Sequence, residues 1–102
     1  MDEQGFQDYL ERRYRTRTGA PLSHKAARDM VSRCRRVEGL MKVDLDQTSI
    51  FAETEAFLET LDKDMRQQNV TPKARRDCIA ALRRYVLYKE LNYGRLRRTG
   101  LK

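Results

Sequence analysis

The segment from Thr71 to Tyr88 constrains the fold most, because it combines a helix start, an apolar stripe and a cationic face. The hydroxyl of Thr71 can accept a hydrogen bond from the first turn, and Pro72 suits the first helical position, where no N–H is needed. The apolar side chains that share one helical face are Ala74, Cys78, Ala81, Leu82 and Tyr85. Arg76 and Arg83 lie on the opposite face. The segment therefore predicts an amphipathic helix whose outer side can contact phosphates.

The rest of the chain also favours helices. With 102 residues it is large enough for one domain with a single core, and it holds only five glycines and two prolines. Apolar spacing predicts three more helices at about 4–15, 23–38 and 48–67, and an end near Asn92 for the last one. We expect Ser23 to cap the second helix, Gly39 to end it in a left-handed conformation, and Leu45 to plug the core. The predicted fold is all-α, a compact four-helix bundle over residues 1–93 followed by a basic C-terminal tail over residues 94–102.

Charge is segregated along the sequence. The net charge is +7, yet the segment from Asp44 to Asp64 contains seven acidic residues and one lysine, a net of −6. The remainder holds 21 basic and eight acidic residues, a net of +13, and arginine outnumbers lysine 16 to 6 in the whole chain. Planar guanidinium groups suit phosphates and guanine edges, so one strongly positive side predicts a nucleic-acid partner.

The cations of the second predicted helix lie outside its apolar stripe. A solvated surface is the ordinary explanation for such residues, but Asp29 is the only acidic residue there before Glu38. Salt bridges between neighbouring turns therefore do not account for so many cations. The last helix repeats the arrangement, which favours a shared binding face.

Several functions are excluded by what the sequence lacks. No apolar stretch is long enough to span a membrane, and the N-terminus has no features of a secretory signal, so we expect a cytoplasmic protein. We expect Cys34 and Cys78 to be reduced core thiols rather than a disulfide. His24 is expected at the surface, and two cysteines with one histidine at these spacings do not make a metal site. No nucleophile or phosphate-loop motif occurs, so we expect no catalytic residues and no cofactor.

Tyrosine positions leave a further option open. Tyr9 and Tyr85 have the spacing of core residues, whereas Tyr14, Tyr88 and Tyr93 are expected to be partly exposed. Exposed tyrosines could stack on the bases of single-stranded nucleic acid or RNA.

Two helical motifs follow one another along the chain. The first motif consists of Leu22-Ser23 followed by Met30, Cys34 and Val37. The second motif, after a connector and a third helix, is the run Ala81-Leu82-Arg83-Arg84-Tyr85 followed by Tyr88. In this order the sequence resembles the N-terminal core-binding, SAM-like domain of tyrosine recombinases and phage integrases, from about Phe6 to Leu91. Ala26 and Met30 depart from that family, which often has a threonine and an aromatic residue there.

The resemblance implies that the domain clamps duplex DNA with its second and fourth helices. The positions carried over as DNA contacts, together with their cationic neighbours, are Lys25, Arg28, Arg35, Arg36, Lys73, Arg76, Arg83 and Arg84. The family's catalytic domain, with its nucleophilic tyrosine, does not follow in this sequence. We therefore expect non-catalytic binding of double-stranded DNA, with other recombinase or phage proteins as further partners.

A protein-interaction module is the alternative. In a regulator of a phage or mobile element, the acidic third helix would dock a basic partner, or the basic side an acidic one.

Overall fold

The structure, a computed structural model, describes the backbone of residues 1–46 and 48–100 and the side chains of residues 1–46 and 50–91. Its helices are α1 (Glu3–Arg12), α2 (His24–Met41), α3 (Thr48–Ala52), α4 (Thr54–Gln67) and α5 (Pro72–Gly100). The all-α prediction is confirmed, but these residues form five helices rather than four. Within the described residues, strand-like pairing is limited to an isolated bridge between Arg15 and Pro21.

The predicted helix starts are confirmed. The hydroxyl of Ser23 accepts the Ala26 N–H at 3.1 Å, and that of Thr71 accepts the Ala74 N–H at 3.2 Å. Pro72 is the first residue of α5. These side chains satisfy amide groups that have no partner within the helix, so each cap fixes where its helix begins.

The predicted end of the second helix at Gly39 is wrong. The helix continues to Met41, and the left-handed residue is Lys42, with φ 55°. The amides of Lys42 and Val43 both donate to the carbonyl of Glu38, which closes the last turn. Leu40 and Met41 pack against the core, so the extra turn buries apolar surface that an earlier end would expose.

Other helix bounds also differ from the predictions. The single third helix is divided at Glu53, which is not helical (φ −131°, ψ 53°), and the hydroxyl of Thr54 donates to the Ile50 carbonyl at 2.8 Å. This bond satisfies a carbonyl near the break. The first helix ends at Arg12 instead of Arg15, and α5 passes the predicted end near Asn92. The predicted tail at 94–102 and Tyr93 lie outside the described side chains.

One apolar core holds the helices together. It draws buried side chains from every helix, and Leu45, in the connector before α3, is fully buried as predicted. The most extensive helix pairing is between α2 and α5. No helix among the described residues combines the length and apolar character needed to cross a membrane.

Both cysteines are free and buried, as predicted. Burial raises the pKa of Cys34 to about 12, so this thiol is protonated near neutral pH. Burial also raises the pKa of Cys78, against the opposing influence of the Arg36 and Arg33 cations. Because both cysteines lie in the core, they act as small apolar side chains that fill space there.

A cluster of aromatic rings joins α1 to α5. Tyr85 is fully buried and meets Phe6 edge to face, with ring centroids 5.0 Å apart. Its hydroxyl donates to Asp46 and accepts the Asp2 N–H at 2.8 Å. Tyr88 is only 5% exposed, which overturns the prediction of a partly exposed ring. Its hydroxyl donates to the Asp2 carboxylate at 2.6 Å, so the ring can be buried with its polar end satisfied.

Replacement of Gly5 by alanine is expected to destabilise the fold by about 1–2 kcal/mol. An added Cβ would meet the Asp2 carboxylate and the Tyr88 hydroxyl, and so would disturb the hydrogen bond between them. Gly39→Ala is the matched control because its Cβ would enter open space on the exposed side of α2. The control is expected to stabilise by roughly 0.5–1 kcal/mol, measured by urea unfolding. Equal shifts in the two variants would contradict the packing at Gly5.

Candidate nucleic-acid interface

The eight predicted contact residues lie on two helices at the protein surface. On α2 all four are exposed, and on α5 three are exposed while Arg84 is half-buried. The side chains of five of the eight form no hydrogen bond or ion pair with any other described residue. These five unpaired cations are Lys25, Arg28, Arg36, Lys73 and Arg76. Their charges are therefore available to an external anion.

The other three predicted contacts have partners within the protein. Arg35 pairs with Glu3 of α1, and Arg83 donates two hydrogen bonds to Glu55 of α4, at 2.7 and 3.2 Å. The hydrogen bond from Arg83 lowers the pKa of Glu55. Because these ion pairs are exposed to solvent, each contributes little to stability, so a phosphate can compete for the arginine.

Two arginines of α2 interact with residues of α5 across the junction of the two helices. Arg33 reaches Asp77 across it at 4.0 Å, and the cations of both Arg36 and Arg33 influence the Cys78 thiol in α5. Arg36 on α2 and the pair Lys73 and Arg76 on α5 thus belong to two helices that pack directly against each other. Neither Arg35 nor Arg83 makes its ion pair across this junction, since their partners belong to α1 and α4.

Acidic side chains distinguish α4 from the exposed cationic surfaces of α2 and α5. Glu55 and Glu59 are exposed on it. Asp62 accepts a hydrogen bond from Arg66 at 2.9 Å and forms an ion pair with Arg75 at 3.3 Å. The arginines around α4 are thus neutralised locally. Among the described residues of α4, Lys63 is an exposed cation with no such partner.

The sequence reasoning missed a second group of arginines at the end of α1. Arg12, Arg13, Arg15 and Arg17 lie within six positions, and no acidic residue occurs from Arg12 to Arg28. That absence was a signal available in the sequence. Arg84, the half-buried predicted contact, stacks its guanidinium over Tyr14, 4.8 Å from the ring centroid, and so joins α5 to this group.

His24 lies at the surface, as predicted. His24 is exposed at the start of α2, where its Nδ1 lies 3.0 Å from Glu11 and 3.3 Å from Gln7. Across the described part of the chain, no three histidine, cysteine or acidic side chains are grouped so that they could hold a metal ion. The surface chemistry is that of guanidinium and ammonium groups, which bind anions.

Comparison with protein-family models, with curated proteins and with solved structures found no match.

Proposed function

We propose that this protein binds double-stranded DNA without catalysis, through the exposed cations of α2 and α5. The observation that carries the proposal is the set of five unpaired cations on the two helices that pack most extensively together. Phosphate oxygens would be the principal ligands, because exposed ammonium and guanidinium groups bind them without regard to sequence. In this role the chain would act as the core-binding domain of tyrosine recombinases does, in DNA recombination or integration.

Two further features support the proposal. The helix α4 carries four acidic and two basic residues, so it is less attractive to a duplex than α2 or α5, and binding would have a defined orientation. The exposed position of Ala80 on α5, between Arg76 and Arg83 in sequence, lets a DNA backbone approach without a bulky side chain in the way.

Duplex affinity is expected to fall steeply as salt increases. If about six phosphates are neutralised, a plot of log affinity against log salt has a slope near −5. Fluorescence anisotropy with a labelled duplex of about 20 base pairs, titrated from about 50 to 200 mM salt, measures that slope. A slope near zero would contradict phosphate binding.

The same titration distinguishes the alternative functions. If no duplex binds at about 50 mM salt, the protein-interaction role through the acidic α4 is favoured instead. If an unlabelled single-stranded oligonucleotide displaces the duplex at lower concentration than the duplex itself, the ligand is single-stranded nucleic acid.

A further inference from the structure

The connection between α1 and α2 is an ordered loop rather than an open linker. We define the Arg17 loop as residues 15–21, which are closed at the base by the bridge between Arg15 and Pro21. The Thr16 N–H donates to the Ala20 carbonyl at 2.9 Å, and the Thr16 hydroxyl accepts the Ala20 N–H at 3.2 Å. The backbone is therefore held in place on both sides of the tip.

The tip of the loop is a tight turn with an arginine on it. The Gly19 N–H donates to the Thr16 carbonyl at 2.9 Å, and Gly19 has a φ of +85°, a conformation that favours glycine. Arg17 and Thr18 occupy the two central positions of this turn, and both are exposed. Arg17 is consequently presented to solvent on a pre-ordered backbone.

The arginines around the loop divide into two kinds. The guanidinium of Arg15 donates to the carbonyls of Arg12 (3.1 Å) and Tyr14 (2.9 Å), so it caps the end of α1 and positions the loop. Arg12, Arg13 and Arg17 are exposed and form no side-chain hydrogen bond or ion pair within the described residues. These three guanidinium groups are therefore available to an external anion.

The nearest carboxylate in the sequence, that of Glu11, forms no hydrogen bond or ion pair with these arginines. Glu11 accepts a hydrogen bond from Gln7 at 3.2 Å and lies 3.0 Å from the His24 Nδ1. The interaction with His24 lowers the pKa of Glu11, and the charge of Arg12 also lowers it. Arg84 of α5, stacked over Tyr14, places another cation at the base of the loop. The loop thus adjoins one cation of α5, Arg84.

We propose that the Arg17 loop is a second contact for duplex DNA, in which Arg17 binds the phosphodiester backbone beyond the surface of α2 and α5. The inference rests on the proposed function. A loop that is already ordered loses little conformational freedom on binding, so its arginine gains affinity at small entropic cost. The loop lengthens the footprint of the protein along the duplex.

Arg17→Glu is expected to weaken binding to a labelled duplex of about 20 base pairs by about fivefold or more, and Arg17→Ala to make the salt slope shallower by about 1. Lys63→Glu is the matched control, because it reverses an exposed, unpaired cation on the acidic helix α4. The control is expected to change affinity by less than about twofold. Circular dichroism and thermal unfolding check that each variant keeps its fold.

The outcomes separate this proposal from the proposed function. If the unaltered protein binds the duplex and Arg17→Glu behaves like Lys63→Glu, the loop contact is wrong while DNA binding by α2 and α5 stands. If the unaltered protein binds no duplex, the proposed function fails, and the loop contact fails with it. Preferential displacement by an RNA competitor would overturn the assignment to duplex DNA.

Discussion

Reversing the charge of Arg36 and Arg76 together is expected to weaken duplex binding more than tenfold at about 100 mM salt. The two residues lie on different helices, both are exposed, and neither has an ion-pair partner in the described structure. The reversal removes two phosphate contacts and adds repulsion from two carboxylates. Each single reversal is expected to cost about three- to tenfold, measured by anisotropy with a labelled duplex.

The control variant for these charge reversals is again Lys63→Glu. It changes the net charge by the same amount as either single reversal, but on the acidic side of the molecule. If Lys63→Glu weakened binding as much as Arg36→Glu or Arg76→Glu, the effect would reflect net charge alone, and the surface of α2 and α5 would have no special role. Because all three side chains are exposed and unpaired, we expect the variants to fold normally.

Replacing Tyr85 with alanine is expected to lower the free energy of unfolding by about 3–5 kcal/mol. The ring is fully buried against Phe6, and its hydroxyl links the backbone at Asp2 to the carboxylate of Asp46. The substitution therefore leaves a cavity and breaks two hydrogen bonds that tie the N-terminus and the connector to α5. Urea unfolding followed by circular dichroism measures the change.

Two further variants divide this effect into its parts. Tyr85→Phe keeps the ring and is expected to cost roughly 1–3 kcal/mol, the range for hydrogen-bonding groups left without their partner. Leu87→Ala is the control on the same helix, since that side chain is 40% exposed, and we expect a change within about 0.5 kcal/mol. A Tyr85→Ala variant as stable as Leu87→Ala would contradict the aromatic cluster described above.

Local signals in the sequence predicted most of the helical architecture. The caps at Ser23 and Thr71 and the burial of Leu45 follow from hydrogen-bonding geometry and apolar patterning, which act over a few residues. The predictions were wrong where contacts between distant parts of the chain determine the structure. The helix α2 continues past Gly39 because Leu40 and Met41 pack against the core. Tyr88 can be buried because its hydroxyl donates a hydrogen bond to the carboxylate of Asp2, which is distant in the sequence.

For the candidate site too, the sequence predicted local features but not contacts between helices. Helical spacing identified exposed cations on α2 and α5, since exposure follows from the period of the apolar stripe. Spacing within one helix did not reveal that Arg83 faces Glu55 or that Arg35 faces Glu3, because both acids lie on other helices. The folded loop around Arg17 depends on hydrogen bonds between Thr16 and Ala20, and the gap between the helices predicted at about 4–15 and 23–38 gave no geometry for it.

The most direct test of the DNA-binding surface is an NMR titration of the isotopically labelled protein with a duplex of about 20 base pairs. The amide signals that are expected to shift are those beside the exposed cations of α2 and α5, such as Arg36 and Arg76, while those of α4 around Glu59 stay in place. Shifts concentrated on α4, or no shifts at low salt, would contradict the proposed surface.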